Sequence, residues 1–136
     1  MSGILVVDDD PANRRLIQMA LELEGYAVRT AATGREALAQ VAAQQPAALL
    51  LDVELPELDG WDVLAALAAQ DGGPPVLLLS ASDGARIRRA AEAQGVGVLT
   101  KPFDLDVLLE RVGRLAMPDE ALPRPQEQGT GTYGVS

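Results

Sequence analysis

Short apolar runs of four or five residues recur along the chain, and a stretch with helical spacing follows each one. Four of the five runs contain no charged residue, which is typical of strands buried on both faces of a parallel sheet. The runs predict strands at residues 4–7, 26–30, 48–51, 76–79 and 96–100. Because parallel strands need long crossover connections, the alternation predicts an α/β fold with a doubly wound parallel sheet.

Five helical stretches occupy the intervals after the strands. The first begins at Pro11, a residue suited to a first helical turn, and stops at Gly25. Its predicted core face has i, i+3, i+4, i+7 spacing and consists of Leu16, Met19, Ala20 and Leu23. The other helices are predicted to run from the cap Thr33 to about Gln45, from Gly60 to about Gln70, from the cap Asp83 to about Gln94, and from the cap Asp104 to about Ala116.

The 136 residues are enough for one domain with a sizeable core. From Pro118 onward the sequence is rich in Pro, Gly and Gln and has no apolar periodicity. We therefore predict one folded domain at residues 1–117 and a flexible tail or linker at residues 118–136.

Charge and composition exclude several classes of function. A net charge of −9 argues against direct binding of nucleic acid or of an anionic membrane surface. The sequence contains no Cys and no His, which excludes disulfides, Cys/His zinc sites and Ser-His-Asp triads built from its own residues. The first residues lack the basic leader of a signal peptide, and no apolar stretch approaches membrane-spanning length, so we expect a cytoplasmic protein.

Polar residues stand at the carboxyl ends of four predicted strands, where ligands bind in doubly wound sheets. They are Asp8, Asp9 and Asp10 after the first strand, Asp52 after the third, Ser80 after the fourth, and Thr100 and Lys101 at the end of the fifth. Taken singly each is ordinary, because consecutive acids often form a solvated loop or a helix cap. Together they predict carboxylates, a hydroxyl and an ammonium at one edge of the sheet.

This combination of groups is suited to phosphoryl transfer. Clustered carboxylates repel one another, and a divalent cation such as Mg²⁺, which prefers oxygen ligands, relieves that repulsion. Lys101 would place a positive charge opposite a phosphate, and Ser80 would donate a hydrogen bond to it. A carboxylate such as Asp52 can also act as the nucleophile toward phosphorus.

Four segments resemble the receiver domain of two-component response regulators: "ILVVDDDPANRRL", "LLLDVELPELDGWD", "PVLLLSAS" and "VLTKPF". The resemblance runs from about Ile4 to Ala116, and the chain looks like a stand-alone receiver of the chemotaxis-regulator type. It implies a flavodoxin-like fold with strand order 2-1-3-4-5 and five helices. It also implies that Asp52 accepts a phosphoryl group from a phosphohistidine on a sensor histidine kinase or a phosphotransfer protein.

The resemblance implies roles for the other residues of the site as well. The implied Mg²⁺ ligands are Asp9 directly, Asp8 mainly through water, Asp52, and the backbone carbonyl of Glu54. Ser80 would donate to a phosphoryl oxygen, and Lys101 would pair with it. The peptide bond between Lys101 and Pro102 is often cis in the family.

The sequence departs from the family three residues before the lysine, where Val98 replaces the usual Tyr or Phe. We predict that Val98 packs as an ordinary apolar residue. Two acids that often belong to a dimer-forming salt-bridge network are replaced by Gly97 and Val107, although Arg111 is present. The sequence therefore does not predict dimerisation by that route.

We expect a stand-alone phosphorylation switch rather than a turnover enzyme. It would act with a kinase or small-molecule phosphodonors and with an unknown downstream protein. The alternatives are a receiver fragment of a longer regulator, a receiver that binds partners without phosphorylation, and a Mg²⁺-dependent aspartyl-phosphate phosphatase that uses Asp52 and Glu54. A nucleotide-binding flavodoxin-like protein is disfavoured, because no Gly-rich phosphate loop follows the first strand.

Overall fold

The computed structural model describes residues 3–70, 72–81 and 84–116, and strands and helices alternate along this part of the chain. The elements are β1 (Ile4–Val7), α1 (Pro11–Leu23), β2 (Val28–Ala31), α2 (Gly34–Ala43), β3 (Ala48–Asp52), α3 (Gly60–Ala68), β4 (Val76–Ser80), α4 (Ala85–Ala93), β5 (Gly97–Thr100) and α5 (Leu105–Ala116). The predicted cap Asp83 and the predicted tail at residues 118–136 lie outside the described residues. The longest of these helices has 13 residues, and none is long and apolar enough to cross a membrane.

All neighbouring strands pair in parallel, and their order is β2-β1-β3-β4-β5, which confirms the predicted fold. β3 and β4 each extend one residue further than predicted, to Asp52 and Ser80. Asp52 is paired with Leu79, and Ser80 with Thr100. Because both residues are part of the sheet itself, strand pairing fixes the directions of their side chains.

The sheet separates two aliphatic clusters, since successive residues of a strand face opposite sides. Leu49 and Leu51 belong to the cluster under α2, α3 and α4, whereas Ala48 and Leu50 belong to the cluster under α1 and α5. The partly buried Trp61 and Val98 pack against the first cluster, so the prediction that Val98 packs as an apolar residue is confirmed. Because β3 is buried on both faces, it holds Asp52, its last residue, in a fixed position.

The predicted core face of α1 is wrong. Ile17 and Leu21 are fully buried, whereas Leu16, Met19 and Leu23 are 50%, 55% and 86% exposed. Both sets have helical spacing, so the periodicity alone does not choose between them. The first turn of α1 contacts the end of β1, as described below, and these polar contacts fix which face of the helix meets the sheet.

Polar side chains attach the two outermost strands to the helices beside them. Arg29 of β2 donates to the carbonyl oxygens of Gln40 and Gln44 at the end of α2, at 3.2 and 2.6 Å. In return, Gln40 Nε2 donates to the carbonyl oxygen of Thr30 at 2.7 Å. On the opposite strand, β5, Arg111 Nη2 lies 3.5 Å from the carbonyl oxygen of Val98.

Gly60 lets the start of α3 approach the end of β3. A Cβ atom at this position would lie 2.6 Å from the carbonyl oxygen of Asp52 and 2.7 Å from Val53 Cα, which are backbone atoms that cannot rotate away. The Gly60 amide donates to the Val53 carbonyl oxygen at 2.9 Å. The helix start is further fixed by a capping box between Asp59 and Asp62.

We predict that Gly60→Ala lowers the free energy of unfolding by about 1–3 kcal/mol, because the added methyl group forces α3 away from the backbone of β3. Urea unfolding measures the change. Gly113→Ala, within α5, is the matched control, since among the described residues a Cβ there comes near only the Tyr26 hydroxyl, at 3.8 Å. It should raise stability by about 0.5–1 kcal/mol. Equal stabilities for the two variants would contradict the steric argument.

Candidate functional site

The predicted site residues meet at the carboxyl edge of the sheet. Asp8 directly follows β1, Asp52 and Ser80 are the last residues of β3 and β4, and Lys101 directly follows β5. The Lys101 amide donates to the Ser80 carbonyl oxygen at 2.7 Å, which joins the ends of β4 and β5. The Lys101–Pro102 peptide bond is cis, in agreement with the family resemblance.

The ammonium of Lys101 bridges two buried carboxylates. Its Nζ lies 3.0 Å from Asp52 Oδ2 and 3.3 Å from Asp8 Oδ2. The side chain of Asp8 is fully buried and that of Asp52 is 4% exposed, whereas Lys101 is 23% exposed. Two largely buried negative charges therefore share the positive charge of a partly exposed lysine.

Further hydrogen bonds hold the two carboxylates in place. The amide of Asp10 donates to Asp8 Oδ1 at 2.9 Å, and the amide of Glu54 donates to Asp52 Oδ1 at 3.0 Å. Asp10 also caps α1 by accepting from the amide of Ala12. Each carboxylate is thus satisfied on one oxygen by the backbone two residues ahead and on the other by Lys101.

Two residues of α1 that the sequence analysis did not single out contact Asp8. Asn13 Nδ2 donates to Asp8 Oδ2 at 2.7 Å, and Arg14 Nη1 donates to the Asp8 carbonyl oxygen at 2.7 Å. The capping pattern of helix starts does not predict this contact, because there the third helical residue accepts from the N-cap amide, whereas Asn13 donates to a carboxylate. The resulting contact lies five residues along the chain from Asp8.

The balance of charge at the site appears in its pKa values. Burial, the largest effect, and the neighbouring Asp8 charge raise the pKa of Asp52 above the ordinary carboxyl value. Together they exceed the opposing effects of the Glu54 amide and Lys101. Burial alone would lower the pKa of Lys101, but its contacts with Asp52 and Asp8 together outweigh burial and raise it. Lys101 therefore stays protonated, and the Asp52 carboxylate remains only partly compensated.

Three carboxylates at this edge could hold a metal ion. One oxygen from each of Asp8, Asp9 and Asp52 lies within 4.8 Å of the other two. Hard oxygen donors of this kind fit Mg²⁺ or Ca²⁺, and the uncompensated negative charge described above favours any such cation. Asp9 is exposed and gives the cluster an open side, whereas the side chain of Glu54 points into solvent.

A cavity of about 490 Å³ lies beside this cluster. Asn13 and Lys101 line it on the side of the carboxylates, and Phe103 and Leu105 contribute apolar walls. Ser80 is fully buried at the end of β4. The structure thus brings Asp8, Asp9, Asp52 and Lys101 into one cluster and joins Ser80 to it through the backbone of Lys101.

The fold and this edge define a flavodoxin-like α/β protein with a cation-compensated acidic site at the ends of its central strands. The family of response regulator receiver domains matches residues 4–113, and the chain belongs to that family, whose members work in two-component systems. The probable transcriptional regulatory protein TcrX of Mycobacterium tuberculosis is 41% identical over 82% of this chain and 48% of its own length. The response regulator MprA of Mycobacterium leprae is 42% identical over 87% of this chain and 54% of its own length.

Solved structures agree with this assignment. The chemotaxis protein CheY4 of Vibrio cholerae matches 85% of this chain and 98% of its own with a TM-score of 0.77 and 32% identity. The receiver domain of the Francisella response regulator 1452 matches 85% of this chain and 97% of its own with a TM-score of 0.81 and 32% identity. The chain spans about half the length of the curated relatives it matches, as the shares of 48% and 54% show.

We predict that Asp52→Asn is more stable than the wild type at about pH 7.5 in buffer without divalent cations. Neutralising Asp52 leaves Lys101 and Asp8 as a balanced pair and removes the cost of burying a second charge. Thermal unfolding over a series of pH values measures the difference. Asp106→Asn, an exposed acid at the start of α5, is the matched control and should give no such gain.

The pH dependence follows from the raised pKa of Asp52. The folded chain binds a proton at Asp52 more tightly than the unfolded chain does. Protonation of Asp52 therefore adds to the free energy of unfolding below the ordinary carboxyl pKa, and this contribution is lost as the pH rises through the raised pKa. The advantage of Asp52→Asn should therefore shrink as the pH falls toward about 4. An advantage that grows at low pH would contradict this assignment.

Proposed function

We propose that this chain is a phosphorylation-dependent switch of a two-component phosphorelay, with Asp52 as the phosphoryl acceptor. The donor would be a phosphohistidine of a sensor histidine kinase or a phosphotransfer protein, and small acyl phosphates would also serve. The observation that carries the proposal is the shared ammonium of Lys101, 3.0 Å from Asp52 and 3.3 Å from Asp8. It places a positive charge beside the acceptor oxygen, where incoming phosphoryl charge needs compensation.

In the proposed transfer, an Asp52 carboxylate oxygen forms a bond to phosphorus while the bond from phosphorus to the histidine nitrogen breaks. The electron pair of the broken bond stays on the imidazole, which takes up a proton. Lys101 then pairs with a phosphoryl oxygen, and the Ser80 hydroxyl donates to another. Ser80 ends β4, the strand beside β3 in the sheet, and Lys101 Nζ lies 3.0 Å from Asp52 Oδ2, which supports these roles.

Mg²⁺ is the proposed cofactor, held by Asp8, Asp9, Asp52 and the backbone carbonyl of Glu54. When bound, it would neutralise carboxylate charge and stabilise the charge of the phosphoryl group. The three clustered carboxylate oxygens support this ligand set. Asp8 and Asp52 would be held in position by the backbone amides of Asp10 and Glu54, which occupy one oxygen of each.

The domain limits and cellular context are part of the proposal. Residues 1–117 would form the receiver and residues 118–136 a tail or linker, in a cytoplasmic protein that signals to a downstream protein. A receiver segment of a longer regulator is a second candidate, supported by the fact that TcrX and MprA are about twice as long as the matched region. Self-phosphorylation and self-dephosphorylation at Asp52 would be the only chemistry in either case.

We predict that acetyl phosphate with Mg²⁺ adds one phosphoryl group to the wild type and none to Asp52→Asn, as read by intact mass. The matched control Asp106→Asn makes the same chemical change at an exposed position and should label like the wild type. Label that persists in Asp52→Asn would remove this residue from the role. Sustained hydrolysis of a phosphate ester, rather than stoichiometric labelling, would instead support a phosphatase.

We also predict that Mg²⁺ stabilises the wild type, by about 1.4 kcal/mol at a tenfold excess over its Kd. Asp9→Asn should lose most of this gain with little change in stability without metal, because Asp9 is exposed. Asp10→Asn is the matched control, since Asn also caps helices well and the contact of residue 10 with Asp8 is made by its backbone. Loss of the Mg²⁺ response in Asp10→Asn alone would overturn the ligand set.

A further inference from the structure

The side chain of Asn13 links the first turn of α1 to the acidic site. Its Nδ2 donates at 2.7 Å to Asp8 Oδ2, the same oxygen that lies 3.3 Å from Lys101 Nζ. The carboxamide thus makes the shorter of these two hydrogen bonds. Arg14, the next residue of α1, holds the Asp8 carbonyl oxygen at 2.7 Å, so the backbone and the side chain of Asp8 are both fixed from the same helix turn.

Asn13 and Lys101 compete for the charge of one buried carboxylate. The side chain of Asp8 is fully buried, so its charge depends on protein donors rather than on bulk water. A carboxylate that loses one donor binds its remaining donors more strongly, because less of its charge is compensated. The presence of the Asn13 amide therefore weakens the attraction between Asp8 and Lys101.

We propose that Asn13 is a positioning residue that loosens the hold of Asp8 on Lys101 and so frees the ammonium to pair with a phosphoryl group on Asp52. This inference rests on the proposed function, in which Lys101 makes that pair. Lys101 Nζ lies between the two carboxylates. Its contact with Asp8 opposes its movement toward the negative charge of a phosphoryl group on Asp52. Asn13 keeps Asp8 hydrogen-bonded when Lys101 turns away.

The test removes the amide donor without opening space. Asn13→Leu keeps most of the side-chain volume, whereas Asn13→Ala lets water from the neighbouring cavity replace the amide. Gln18→Met is the matched control, because Gln18 lies on the same helix and donates to Glu22 Oε2 at 3.2 Å, in an exposed pair. Thermal unfolding of each variant establishes that it is folded.

The first measurement is the rate of labelling by acetyl phosphate at saturating Mg²⁺. Asn13→Leu should be phosphorylated roughly tenfold more slowly than the wild type, the effect expected for one hydrogen bond to a charged group. Asn13→Ala should fall between the two, and Gln18→Met should match the wild type. If Asn13→Leu fails to fold, Asn13→Ala tests the same prediction, because it should be phosphorylated more slowly than Gln18→Met.

The second measurement needs neither metal nor phosphodonor. Lys101 is the only lysine in the sequence, so acylation of its amine by an N-hydroxysuccinimide ester can be followed on one peptide by mass spectrometry. Tighter engagement by Asp8 protects the amine, so acylation should be slower in Asn13→Leu than in the wild type. A merely structural role for Asn13 predicts the opposite, because a loosened site exposes Lys101.

The outcomes separate this inference from the proposed function. Slower phosphorylation together with slower acylation in Asn13→Leu supports it. A labelled wild type with an unchanged rate in Asn13→Leu, or with faster acylation, overturns the role of Asn13 and leaves the proposed function intact. A wild type that takes no label overturns both.

Discussion

The ammonium of Lys101 pairs with two carboxylates that are buried at the end of the sheet. One positive charge therefore faces two negative charges, and the rest of the site depends on this deficit. A single buried carboxylate without a partner would be strongly unfavourable. Here the ends of β1 and β3 supply Asp8 and Asp52, and the end of β5 supplies the cation between them. Because Lys101 is the only cation among the described residues that forms an ion pair with these carboxylates, the exposed side of the cluster at Asp9 favours a further cation.

The centre of the sheet was predictable because β1, β3 and β4 are buried on both faces. A run such as Leu49–Leu51 has few alternatives to a central parallel strand, and the observed strand ends differ from the predicted ones by only one or two residues. The core face of α1 was not predictable in the same way. That helix has two apolar stripes. The contacts of Asn13 and Arg14 with Asp8 orient the helix so that one stripe is buried, and the spacing of apolar residues does not predict these contacts.

The same distinction applies to the site. Asp8, Asp9, Asp52 and Lys101 could be predicted to meet, because the carboxyl ends of parallel strands share one edge. The contact of Asn13 with Asp8 depends on the direction in which α1 leaves β1, which is a tertiary property. The position of Lys101 between two carboxylates, rather than beside one, likewise follows from the register of four strands, β1, β3, β4 and β5.

The polar attachments of the two outermost strands bear on how the molecule behaves in concentrated solution. An outer strand presents unpaired backbone groups on which another chain can add, and this is a route to aggregation and fibre growth. Here Gln40 occupies the Thr30 carbonyl on β2, and Arg111 approaches the Val98 carbonyl on β5. A foreign strand would have to displace a glutamine on one side and a charged guanidinium on the other, which discourages growth of the sheet beyond its own five strands.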